Sequence, residues 1–290
     1  MAGPQPAPTG TPDAPAKWRD LSTRVLSAVV LVAVFAIGLW TGGIVWMGLV
    51  VAVWVAMLWE LAPLCAPGVA GWRRGLVAMT PVLAVVLLWL MTNTPGQMWL
   101  LGLPLVVLPT LAGVLLLPAG RAIWLGYSLM MMLGVVFFII GDEFNPALIL
   151  ALAAIVVISD TLGYFAGRMI GGPKFWPRIS PKKTWSGTIA GWLGAALFGA
   201  FAVAPMVGPM VETATDGPQP LRFALIAVAL AFAGQMGDIA ESAIKRRAGV
   251  KDASALIPGH GGFLDRLDAM IAAAAAAMVY LALSGPPVLL

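Results

Sequence analysis

Cysteine is almost missing from this chain. Cys65 stands alone among 290 residues, which excludes an internal disulfide framework and leaves no cysteine spacing that would hold a metal. Charge is also scarce. Asp, Glu, Lys and Arg make up 10% of the residues, against about 25% in soluble domains, so a soluble globular protein is excluded. The sequence has no internal repeat and no stretch of soluble-domain composition. Its first residues lack the charged and apolar regions with which a cleaved signal peptide opens. Residues 1–16 are instead rich in Pro, Ala and Gly, a composition that predicts a disordered tail.

Apolar residues are what the chain has in excess, at 60% of the total. Runs of about 20 of them, each long enough to cross a hydrocarbon core, recur along the chain. They predict an all-α, polytopic integral membrane protein with about nine spans, at 25–41, 43–63, 75–92, 98–118, 122–141, 145–165, 187–209, 220–240 and 265–284. Charge in the connecting segments tests that count. With the N-terminus in the cytoplasm, every lysine and arginine except Arg222 falls on one side, and Asp142, Glu143, Glu212 and Asp216 fall on the other. This is the division the positive-inside rule asks for. It accounts for Arg73, Arg74 and Arg121 as topogenic charge, but not for two denser basic clusters further on.

Spans one to five hold a single ionisable residue, Glu60. Residues 17–144 are therefore expected to be scaffold, with a structural partner for Glu60. Spans six to nine carry Asp160, Asp238, Glu241, Asp265 and Asp268 at one membrane edge. Ionisable groups in such a setting mark function, so residues 145–290, with cytoplasmic loops 166–186 and 241–264, are expected to hold the chemistry. An ion-coupled transporter would place these groups near mid-membrane on broken helices. Their position at one edge favours an enzyme.

Asp265 and Asp268 lie three residues apart at the start of the last span and project from one face. Carboxylates that close repel unless a cation or proton lies between them. The ordinary alternative is a pair of helix-start acids favoured by the dipole, one of them paired with Arg266. Asp238 weighs against that alternative, because it enters the same depth from the preceding span, with Glu241 one turn on. Asp238, Asp265 and Asp268 together form an oxygen-rich set suited to magnesium, or to two metals bridged by a phosphate.

Gly259, Gly261 and Gly262 flank His260, the only histidine, just before the last span. Glycine at a helix entry lets backbone amides approach a phosphate, although an ordinary loop has the same composition. His260 is suited to a phosphate hydrogen bond, to protonating a leaving group, or to a loop contact, and the residues leave these open. The segment 168–184 is basic and punctuated by Pro and Gly, which predicts a structured loop rather than a helix. There Ser180, Lys182, Lys183 and Thr184 offer charge and hydroxyl groups to a polyphosphate; topogenic charge facing anionic lipid is the alternative. Asp160, inside span six, needs a cationic partner, for which Arg168 or Lys183 would serve.

The run S-A-I-K-R-R-A-G-V-K-D-A-S-A-L-I-P-G-H-G-G-F-L-D-R-L-D at 242–268 resembles, without a gap, the diagnostic motif of the phosphatidate cytidylyltransferase (CDP-diacylglycerol synthase) family. G-D-I-A-E-S at 237–242, S-P-K-K-T-W at 180–185 and D-T-L-G-Y at 160–164 are similar to further family segments, and W-E at 59–60 is compatible. The likeness is strong in the second half of the chain and rests on hydropathy in the first. Ser186, Gly163 and the lack of a histidine in 171–176 depart from the family pattern; they bear on nucleotide contacts and not on the acids.

The resemblance implies transfer of a cytidylyl group from CTP to phosphatidic acid, with Asp238, Asp265 and Asp268 holding Mg2+ and a second cation as an alternative. Lys182, Lys183, Lys245, Arg246 and Lys251 would neutralise the triphosphate or the lipid phosphate, Lys183 as a catalytic group. Asp160, Ser180, Thr184, His260, Gly261, Gly262 and Arg266 would complete the substrate site. The implied partners are CTP, phosphatidic acid, membrane lipids and a second copy of the chain, with no nucleic acid. The implied location is a bacterial inner membrane with the active site facing the cytoplasm. Other CTP-dependent lipid enzymes, such as a polyprenol kinase or an ether-lipid cytidylyltransferase, are the near alternatives, and the 242–268 run favours the diacylglycerol enzyme.

Overall fold

A computed structural model describes residues 14–92, 103–211 and 219–284. The expected disordered tail lies outside the described residues up to position 13, and residues 14–16 open the first helix. The helices are α1 (Ala14–Thr41), α2 (Gly43–Cys65), α3 (Gly71–Thr92), α4 (Leu103–Leu116), α5 (Arg121–Phe144), α6 (Pro146–Met169), α7 (Trp185–Phe198), α8 (Ala204–Val211), α9 (Pro220–Arg247) and α10 (Leu264–Leu283). A π-helical turn at Gly199–Val203 joins α7 to α8.

Eight spans among the described residues are long and apolar enough to cross a membrane, with α7 and α8 counted as one. The fold is all-α and polytopic, as expected for an integral membrane protein. The fourth expected span, 98–118, is represented by α4, which has 14 residues and packs between α3 and α5; positions 98–102 lie outside the described residues. Large apolar side chains such as Leu26, Val32 and Trp40 on α1, Leu193 and Leu197 on α7, and Leu221 and Leu225 on α9 face outward. A lipid solvent tolerates such a surface and water does not.

The segment between α6 and α7 forms the only regular strands among the described residues. β1 (Lys174–Trp176) pairs antiparallel with β2 (Ser180–Thr184), with Lys174 opposite Thr184 and Trp176 opposite Ser180. The structured loop expected from its prolines and glycines is thus a short hairpin, entered through Gly171 and Gly172, both of positive φ.

α10 sits at the centre, packed along α9 on one side and α5 on the other. Its residues Ile271–Ala275 are all buried. Small side chains suit this position, because helices in lipid associate through close packing rather than through exclusion of water. One end of the bundle gathers the start of α1, the end of α2, the hairpin, the end of α9 and the start of α10. Ser27, Glu60, Lys183, Asp238, Lys245 and Asp265 meet their partners there. At the other end Asp142 accepts the Gly43 N–H, and Arg222 donates to the Tyr280 hydroxyl.

Candidate active site

The site begins with a close approach of α9 to α10 at Gly237. A Cβ there would stand 2.6 Å from the carbonyl oxygen of Asp268, so glycine is what lets the two backbones meet. Asp238 follows immediately and Glu241 lies three residues on, on the same face of α9. One oxygen from each of Asp238, Glu241 and Asp268 falls within 4.8 Å of the others. Glu241 is fully buried and Asp268 nearly so, while Asp238 is partly open.

Two lysines flank this group. Lys183, delivered by β2, places its Nζ 2.5 Å from Asp238 Oδ2 and donates to the Gln235 carbonyl at 3.4 Å. Lys245, one turn beyond Glu241, stands 2.5 Å from Glu241 Oε2 and 2.6 Å from Asp265 Oδ1. Gln235 fixes the surroundings: its amide donates to Ser159 Oγ and accepts from the Trp192 indole, tying α9 to α6 and α7.

Among the described residues, Asp268 Oδ1 accepts only the N–H of Ala269. Glu241 Oε1 has no hydrogen-bond partner among the described residues. Carboxylates this close and this buried repel one another, and one of the two lysines, Lys245, is shared with Asp265. A cation bound among these oxygens would relieve both the repulsion and the orphaned oxygen. An all-oxygen donor set fits a hard divalent ion such as magnesium.

Of the three acids expected at a metal, the structure brings together Asp238 and Asp268. Asp265 lies outside the group, and Glu241 stands in its place. The reason is local. Asp265 accepts the N–H of Gly262 at 2.8 Å and of Ala253 at 2.9 Å and pairs with Lys245, so it clasps the α9–α10 loop. Glu60, expected to have a structural partner, accepts from Ser254 Oγ at 2.5 Å and from the N–H groups of Phe263 and Leu264. A Cβ at Gly262 would lie 2.5 Å from Glu60 Oε1, so the glycine makes room for a carboxylate.

Several candidate substrate-binding residues serve the framework here. His260 Nδ1 is 2.7 Å from Ser27 Oγ on α1, and Arg266 donates to the His260 carbonyl. Ile257 donates to the Gly261 carbonyl. Thr184 caps α7 by accepting the Gly187 N–H, and Arg246 donates to the Val250 carbonyl. Ser180 is half-buried in β2, and Lys182 and Lys251 are exposed. Asp160 makes no ion pair or hydrogen bond among the described residues, but the charge of Lys183, one of its two expected partners, reaches it. Arg168 donates to the Tyr164 hydroxyl instead. Sequence reasoning named Glu241 but kept it out of the metal set, and it did not single out Gln235. The i, i+3 spacing of Asp238 and Glu241, identical to that of Asp265 and Asp268, was the available signal for the first.

Residues 22–284 match the cytidylyltransferase family along nearly the whole described chain. The chain belongs to the cytidylyltransferase family. It is similar to the phosphatidate cytidylyltransferase of Brucella abortus biovar 1, 33% identical over 280 residues that cover 92% of this chain and 96% of the relative. The phosphatidate cytidylyltransferase of Haemophilus influenzae is 39% identical over 130 residues, covering 43% of this chain and 42% of the relative. That of Bacillus subtilis is 34% identical over 131 residues, covering 45% of each. Cytidylyltransferases are nucleotidyltransferases, so the chain is an enzyme of that class.

Proposed function

We propose that this cytidylyltransferase uses CTP and phosphatidic acid to form CDP-diacylglycerol and pyrophosphate, at the cytoplasmic face of a bacterial inner membrane. The observation that carries this reading is the meeting of Asp238, Glu241 and Asp268 with Lys183 and Lys245 at the end of the bundle where the 242–268 run closes. The name of the relative that aligns over nearly its full length supports the lipid acceptor. Nine spans, an inward N-terminus and a homodimer belong to the same proposal.

An oxygen of the lipid phosphate forms a bond to the α-phosphorus of CTP. The bond from that phosphorus to the α–β bridging oxygen breaks, and pyrophosphate leaves with the electron pair. Such a transfer needs positioning and charge neutralisation more than covalent help. The acceptor is already an anion, so no protein nucleophile takes part.

Asp238, Glu241 and Asp268 would hold magnesium, with a second cation as an extension, and its charge would neutralise phosphate oxygens. Lys183 is free to shift from Asp238 to a phosphate, being held among the described residues by one acid and one long carbonyl contact. Lys182 and Lys251 add cations at the exposed rim. Asp265 acts on the site through Lys245 and through the loop amides it holds. His260, Gly261, Gly262 and Arg266 shape that loop, while Asp160, Ser180, Thr184 and Arg246 would complete the substrate site.

The test uses detergent-solubilised protein, phosphatidic acid, magnesium and CTP labelled at either the α- or the γ-phosphate. Cytidylyl transfer puts α-label into lipid and releases γ-label as pyrophosphate. Lipid labelled only from the γ-position would make the chain a CTP-dependent lipid kinase and sink the proposal.

A further inference from the structure

Tyr127 belongs to α5, in the half of the chain whose sequence reads as scaffold. α5 and α10 run in the same direction: Gly134 meets the Ile271 carbonyl, and the stretch from Phe137 to Phe144 faces Met278 and Leu281. Two turns before Gly134, Tyr127 is therefore level with the start of α10. Its side chain is 5% exposed, and its hydroxyl has no hydrogen-bond partner among the described residues. It lies close enough to Asp268, Glu241, Asp238 and Asp265 to feel their charge, that of Asp268 most.

Two orphaned polar groups thus share one buried region, the Tyr127 hydroxyl and Glu241 Oε1. Buried side-chain groups left unpaired are exceptions that call for a reason, such as an ion or water between them. A phenol offers one O–H donor. Carboxylates that ligate a metal are themselves held by hydrogen bonds from a surrounding layer of groups. In the described structure Asp268 has only the Ala269 N–H and Glu241 only the Lys245 ammonium, so that layer is incomplete without a further donor. Tyr127 is a buried donor near these acids with no other partner among the described residues.

We infer that Tyr127 is a positioning residue of the cation site, its hydroxyl donating to an oxygen of the cation's shell, either a carboxylate of the cluster or a water on the ion. The inference rests on reading Asp238, Glu241 and Asp268 as a cation site. It gives α5 a part in the chemistry and links the scaffold half to the catalytic half through one hydroxyl.

Manganese serves as the probe, because free Mn2+ is counted directly by electron paramagnetic resonance. Wild type, Tyr127→Phe and Asp268→Asn are titrated in detergent, and thermal unfolding of each is followed without metal. Tyr127→Phe is expected to bind Mn2+ about 10-fold more weakly, with a metal-free melting temperature equal to or above that of wild type. Wild-type Mn2+ affinity in Tyr127→Phe overturns the inference, as does a lowered metal-free melting temperature, which would mark the hydroxyl as structural. A wild type that binds no Mn2+, or whose binding survives Asp268→Asn, overturns the cation site itself, an outcome distinct from either.

Discussion

The carboxylate of Glu60 accepts the backbone N–H of Leu264 at 2.7 Å across 204 positions of chain. It takes the N–H of Phe263 as well, at 3.1 Å. The first N–H groups of a helix have no partner within it, and negative charge is favoured at that end. Phe263 stands at the cap of α10 and offers no capping side chain. A fully buried acid from α2 supplies the cap instead, and by doing so fixes the helix start from which Asp265 and Asp268 project.

Glu60→Gln retains the shape and turns one acceptor into a donor that faces other donors. Loss of hydrogen bonds to a charged group is expected to destabilise the protein by about 1.5–3 kcal/mol. The check is thermal unfolding in detergent together with limited proteolysis of the 248–263 loop. A wild-type melting temperature and an unchanged cleavage rate would show that α10 needs no cap from α2.

Asp268→Asn, Asp238→Asn and Glu241→Gln are each expected to abolish turnover while the protein still inserts and folds. Asp265→Asn is expected to lose turnover by a different route, through a loosened loop and a misplaced Lys245, and to keep its Mn2+ affinity. Mn2+ titration of the four variants separates the two routes. Retained affinity in Glu241→Gln with loss in Asp265→Asn would return the third ligand position to Asp265.

Which acids share a site was only partly legible. The 3.6-residue period puts Asp238 with Glu241 and Asp265 with Asp268, but it does not say which way each pair turns. That choice is made by the amides of Ala253 and Gly262, which capture Asp265 from within the loop. The membrane spans were legible because apolar length alone defines them, and the eight long spans fall where hydropathy puts them. The hairpin was not, since the register of Lys174 against Thr184 is set by pairing across a turn. Glu60 was read as needing a structural partner. Which partner was beyond reach, because nothing local in W-E points to a helix start so far along the chain.

Gly237→Ala would bring a methyl carbon to 2.6 Å from the Asp268 carbonyl oxygen. Overpacking of this kind destabilises by about 1–3 kcal/mol, and it forces Asp238 away from Asp268. A lower melting temperature together with weaker Mn2+ binding is expected. Tolerance of the methyl group on both counts would show that α9 and α10 have slack at this level.

Lys183→Ala removes the ammonium beside Asp238. The CTP or phosphatidic acid concentration needed for half-maximal rate is expected to rise about tenfold, equivalent to ~1.4 kcal/mol of lost binding. Steady-state kinetics with each substrate varied in turn provide the check. An unchanged profile would reduce the hairpin cations to their topogenic role.

The most direct measurement follows labelled lipid formed from α-labelled CTP and phosphatidic acid by folded, detergent-solubilised wild type, first with magnesium, then with excess chelator, then with magnesium restored. Product formation is expected to stop on chelation and to resume when the cation returns. Formation at the same rate throughout would contradict a transfer that depends on a cation held by Asp238, Glu241 and Asp268.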